Sequence, residues 1–252
     1  FNTNDALAFL QTHPVTVERL SEAEARANQL PVKMRQDSVD FLLVREKCRV
    51  RQIAPEGALK FYASTIQTRR YVSLDAQLYG LALAQFMNKS VVRSVESLNK
   101  VTNPHYQGHP IVIGLRARQL VALRDFNLAD KLYDQALANF PNHKSLWMGQ
   151  LEFLLGIKNY SKAAGRVDIL TQNFPKDPDV WDQYAMLYAD DRYDNPLRYH
   201  HGLGSEYYVL GSYKSALDQY QTALKSKAKQ PGDEAILELV SSRIPDVMRN
   251  LK

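Results

Sequence analysis

The chain has 252 residues, 45% of them hydrophobic and 23% charged, enough to bury a sizeable core in one long or two compact domains. Its formal charge of +5 comes from 32 basic residues interleaved with 27 acidic ones, which predicts an ordinary solvated surface and no nucleic-acid partner. No run approaches the roughly 18 consecutive apolar residues of a membrane span, so no membrane insertion is expected, and the single Cys48 cannot form an internal disulfide.

The chain opens at Phe1 without Met or a leader pattern and reads as a fragment or a processed product. Residues 10–31, "LQTHPVTVERLSEAEARANQLP", place a His-Pro turn directly before a charged amphipathic helix, and residues 1–31 read as the tail end of another domain. From residue 32 to 252 glycine and proline are scarce and punctuate apolar residues at helical spacing, so this part is expected to be all-α. Two helices are predicted over about 37–54 and 55–69, the second opening on Pro55, where a missing N–H is harmless. The basic run "VREKCRVR" on the first of them reads mainly as a solvated face, although it could meet an acidic surface. Next comes "LDAQLYGLALAQFMNKSVVRSVESLNKVTNP", which has a regular first helix (Tyr79, Gly80, Leu83) but lacks the expected small residue in its second. "NPHYQGHP" spaces His105 and His109 four apart, yet Pro104, Gly108 and Pro110 make it an inter-helix loop with no metal site.

Beyond residue 110 the chain repeats itself. Phe126, Ala129, Tyr133, Ala136 and Pro141 are followed by Trp147, Leu154, Tyr160, Ala163 and Pro175, with Ala129 to Ala163 and Pro141 to Pro175 both 34 residues apart. A later copy carries Gly204, Tyr207, Gly211, Tyr213, Ala216, Tyr220 and Ala223, but Ala163 to Ala216 is 53 residues, leaving room for an additional helix at 178–191. "DEAILELVSSRIPDVMRNLK" reads as a capping helix kinked or broken at Pro245. Period and residue types resemble the tetratricopeptide repeat, two antiparallel helices that cross at a small residue. The resemblance implies an all-α superhelix with clearest repeats at 110–143, 144–177 and 197–230, an irregular last repeat and a terminal cap. It further implies a concave partner-binding face built from Arg118, Val121, Met148, Glu152, Asp182, His201 and Tyr208, with Tyr208 and Met148 as apolar anchors. The paired Lys and Asn of the tetratricopeptide carboxylate clamp are replaced here by Gly114, Arg118, Met148 and Glu152.

No HExxH, phosphate-binding glycine loop, GxSxG or CxxC is present, so the chain offers no compact catalytic motif. The Thr12-His13-Pro14 turn, Arg19, the helix "ARANQ" at Ala25 to Gln29 and the repeat order after them together resemble the C-terminal half of the β-barrel assembly-enhancing protease family. Those proteins are periplasmic HExxH zinc metallopeptidases that carry a tetratricopeptide domain. The resemblance implies that 1–31 is the tail end of a metalloprotease domain and 32–252 its protein-binding arm. Expected partners are the outer-membrane barrel-assembly machinery or its stalled substrates, in the periplasm, with no catalysis by this chain itself. It implies zinc only in a full-length parent, with His13 as a regulatory ligand there. A stand-alone tetratricopeptide scaffold without an enzymatic parent is the alternative; an enzyme with an unfamiliar site is the third reading, disfavoured because no convergent titratable cluster is apparent.

Overall fold

The computed structural model describes residues 17–29 and 35–251. The chain divides into two compact units, Phe1–Ser38 and Val39–Lys252. The first contains α1 (Val17–Asn28), an amphipathic helix without a buried residue, braced by an Arg26–Glu22 ion pair of 2.5 Å one turn apart. His13 lies outside the described residues.

The second unit is all-helical among its described residues: α2 (Val39–Gln52), α3 (Pro55–Gln67), α4 (Leu74–Met87), α5 (Val91–Asn99), α6 (Pro104–Gln107), α7 (Pro110–Ala122), α8 (Phe126–Asn139), α9 (Lys144–Gly156), α10 (Tyr160–Asn173), α11 (Pro178–Ala189), α12 (Pro196–Val209), α13 (Tyr213–Lys225) and α14 (Asp233–Asn250). Successive helices pack as antiparallel neighbours around three apolar clusters, with fully buried Leu43 and Tyr62 in one, Leu151, Leu154 and Leu187 in the next, and Tyr220 with Val240 in the last.

Local chemistry sets the helix boundaries. The first-to-second helix turns end on a left-handed residue followed by a capping side chain: Arg124 (φ 63°) precedes Asp125, and Lys158 (φ 64°) precedes Asn159. Asp125 accepts from the Leu128 N–H and Asn159 from the Lys162 N–H, satisfying donors that a helix start leaves open. Trp147 and Trp181, also 34 residues apart, donate their indole N–H to the carbonyls of Pro141 (2.7 Å) and Pro175 (2.9 Å). Ala129, Ala163 and Ala216 are fully buried.

Three expectations are corrected. The second helix of the early pair does have its small residue: Ser94 is fully buried, donating to the Ala82 carbonyl at 2.6 Å and accepting from Gln119 at 2.7 Å. A hydroxyl that bonds a neighbouring helix carbonyl fits where alanine fits elsewhere, and a search for alanine overlooks it. "NPHYQGHP" is not simply a loop, since Pro104–Gln107 form the short α6 and His109 caps α7. The His109 Nδ1 accepts from the Ile111 N–H, so Nε2 carries the proton donated to Asp40 at 2.8 Å. Finally, Pro245 does not break the cap into two helices, since α14 is continuous from Asp233 to Asn250. Proline there removes one N–H, while buried Val240 and Val247 on either side hold the helix to its neighbours.

Candidate functional site

Several cavities open between the helices among the described residues, one of them with a volume of about 520 Å³. Its floor is aromatic: the Phe126 and Phe153 centroids lie 6.0 Å apart, and Tyr133 stacks on Phe153 at 6.2 Å. These rings meet because Phe126 and Tyr133 lie two turns apart on α8, while Phe153 comes from the facing face of α9. Arg118 and Val121, one turn apart on α7, form one wall with the Arg118 guanidinium 5.1 Å from the Phe86 ring centroid. Glu152 of α9 and the bare backbone of Gly156 line the cavity as well. Burial pushes the Tyr133 hydroxyl up to about 12, with the Arg118 charge acting against that rise and the Glu152 charge adding to it. The groove is thus amphipathic, lined by aromatic surface together with a cation and a carboxylate, a combination that holds a peptide side chain while orienting its charges.

The second cavity, of about 470 Å³, lies between Trp181, Tyr208 and Arg243. At its base Ser205 Oγ and Tyr220 Oη are 3.1 Å apart, and Arg243 donates to Ser205 at 3.3 Å.

The seven residues expected on a concave face therefore separate. Arg118, Val121 and Glu152 converge on the first cavity, Tyr208 on the second. Met148 is half-buried against the central core, and Asp182 is half-buried beside Gln183, from which it accepts at 3.3 Å. His201 is not on a binding face: it is 4% exposed, in edge contact with Trp181 at 5.4 Å and Tyr184 at 5.6 Å. Burial, then the charges of Arg243 and Arg198, lower its pKa to about 3, and neither ring nitrogen has a protein hydrogen-bonding partner. It is a neutral core residue because α12 is covered on both sides, by α11 and α13. Sequence reasoning missed Phe86, Phe126 and Phe153, which look like ordinary core positions of amphipathic helices. The signal available was the crowding of aromatic residues at the ends of α4, α8 and α9 that face one another across Arg118.

No three His, Cys, Asp or Glu side chains converge among the described residues, and no helix there is long and apolar enough to cross a membrane. A family profile described as tetratricopeptide repeat matches residues 115–178. Among solved structures the chain is similar to a tetratricopeptide repeat protein from Parabacteroides merdae ATCC 43184, at 15% identity and a TM-score of 0.48 over 89% of this chain and 90% of that one. No curated protein matches significantly. With the match over residues 115–178 in its centre and helix pairs to either side, the fold is an all-α, tetratricopeptide-type superhelix. Such arrays act by binding polypeptides, so the tetratricopeptide repeats point to a protein-interaction scaffold.

Proposed function

We propose that the cavity between α4, α7, α8 and α9 is the place where this scaffold takes hold of a partner polypeptide. The observation that carries the reading is a cavity of about 520 Å³, the size of one or two peptide side chains, lined by an aromatic floor with Arg118 and Glu152. A plug tests it. Gly156 is exposed and lines the groove, and a Cβ there would meet no atom within 4 Å, so Gly156→Trp fills the space without a clash at its own backbone. Random-peptide phage selected on the whole chain should enrich a family of sequences that the Gly156→Trp variant no longer retains. Equal retention by both proteins would refute the groove.

In a finer reading, supported by the resemblance of residues 10–31, the scaffold is the arm of a periplasmic zinc metallopeptidase engaged in outer-membrane β-barrel assembly and quality control. Its partners would then be the barrel-assembly machinery or stalled barrels. The described residues do not form a zinc site, so the metal in this reading belongs to a protease domain of a longer parent, with His13 as its regulatory ligand. The native reading frame decides the matter: an upstream HExxH supports it, and an upstream frame without one sinks it. In such a parent His13→Ala should raise basal proteolysis; unchanged activity at intact zinc content would remove the regulatory role. The rival reading, a scaffold with no enzymatic parent, survives only that second frame.

A further inference from the structure

The basic run of α2 divides by helical periodicity. Arg45 and Arg49 both turn to Glu46, whose side chain is fully buried and also accepts from the Tyr62 hydroxyl at 2.9 Å. Lys47 and Arg51, four residues apart on another face, have no carboxylate partner among the described residues, and neither has Arg118. Lys47 and Arg118 line a recess beside Tyr79 and Leu83. Arg118 and Tyr133 line both that recess and the aromatic cavity, so the two adjoin across these side chains.

We infer that the basic end of this groove, Lys47, Arg51 and Arg118, receives the carboxylates of an acidic peptide segment whose adjacent aromatic or large apolar side chain enters between Phe86, Phe126 and Phe153. The inference rests on the groove being the binding site. Burial, then the neighbouring Arg51 and Arg118 charges, hold the Lys47 ammonium below the ordinary lysine range. Lys47 and Arg118 at the recess, with the exposed Arg51 near enough for its charge to act on Lys47, repel one another, and an incoming carboxylate relieves that repulsion. Arg118 contributes twice, since its guanidinium packs on Phe86 while its N–H groups remain available to an anion. Glu152, which lines the same cavity, argues for a peptide over a uniform polyanion, because a nucleic-acid strand following the groove would bring its phosphates against that carboxylate. The arrangement differs from the tetratricopeptide carboxylate clamp: two of the three cations come from α2, outside residues 115–178.

The test uses the same random-peptide phage selection on the whole chain, on Lys47→Gln/Arg51→Gln, on Arg118→Gln and on Gly156→Trp, with each variant's thermal melt measured first. Expected from the parent are sequences in which Asp or Glu adjoin Phe, Tyr, Trp or Leu. A synthetic peptide of that consensus should bind about tenfold more weakly to Lys47→Gln/Arg51→Gln, as the loss of two exposed ion pairs requires, and progressively more weakly as salt rises. Its Gln-for-Glu counterpart should lose as much on the parent. Enrichment of aromatic sequences without acids, or equal affinity of the Glu and Gln peptides, overturns the inference and leaves the groove intact. A single-stranded DNA oligonucleotide that competes as well as the peptide also overturns it. No enrichment above Gly156→Trp overturns both readings together. Should Lys47→Gln/Arg51→Gln melt early, Arg118→Gln and the Glu-to-Gln peptide carry the decision.

Discussion

The central helix pairs and the C-terminal four helices solve the same packing problem with different means. In α7 to α10 each crossing rests on one small residue of the second helix, Ala129 or Ala163, and the same caps, turns and Trp-to-Pro bonds recur 34 residues later. In α11 to α14 one helix serves two neighbours. A Cβ on Gly202 would approach Ala185 of α11 to 3.0 Å, and one on Gly204 would sit 2.5 Å from the Tyr220 ring of α13. Thus α12 is the second helix of one pair and the first of the next, which shortens the array. The cap α14 is then fixed by a buried polar network. Asp233 accepts from Arg198 Nε at 2.6 Å, from Asn195 at 2.9 Å and from the backbone N–H groups of Lys229 and Gln230, while Arg198 also donates to the Tyr188 hydroxyl. The regular repeats also join helices by charge, with Lys162 and Arg166 of α10 on Asp130 and Asp134 of α8, but those side chains are partly exposed, whereas the irregular end buries its ion pair.

The sharpest way to break the contrast is to remove one partner of that network. Asp233→Ala leaves Arg198, 8% exposed, without its counter-ion and should cost about 3–5 kcal/mol in urea unfolding, whereas removing the exposed Lys229–Asp194 pair should cost under about 1. Equal losses would mean that the network does not distinguish the two ends. Acid should act on the same site. Burial alone would raise the Asp233 carboxyl, but its four hydrogen bonds outweigh burial and hold it below the usual range. Its contribution is therefore complete above about pH 4 and is lost as the pH falls below that.

Gly204→Ala comes next, at about 3 kcal/mol, because the Tyr220 ring it meets is fully buried and cannot swing away. Ala163→Leu tests the central register in the same way and should cost about 1–3 kcal/mol. If Gly204→Ala melts with the parent, α12 does not approach α13 as closely as described.

The smallest effect separates the ends by pH. His201 stays neutral in the fold while the unfolded ring takes a proton below about pH 6.5, so stability is full above that value and falls as the pH drops from there toward 3. Between pH 7 and 5 this amounts to about 2 kcal/mol. His201→Phe should abolish that part of the slope, and a slope identical to the parent's would show that His201 is protonated where it lies.

Much of the fold was legible because it is written in short-range chemistry. Helical spacing, Pro55 at a helix start, and the 34-residue recurrence of Ala129 and Ala163 each act within one helix pair or its neighbour. Ser94 escaped because its size, not its polarity, decides the crossing, and Pro245 misled because distant contacts outweigh one missing hydrogen bond. Among the predicted site residues, Arg118, Val121 and Glu152 gather at one cavity because they share the faces of two adjacent first helices. His201 had the same pattern and ended in the core, since two helices rather than one cover α12. Which neighbour covers a face, and whether Lys47 and Arg51 lie near an arginine 67 residues further on, depends on how separate helix pairs stack. Sequence periodicity determines which side chains share a helix face; only the tertiary packing decides what that face meets, because contacts between pairs carry no local signature.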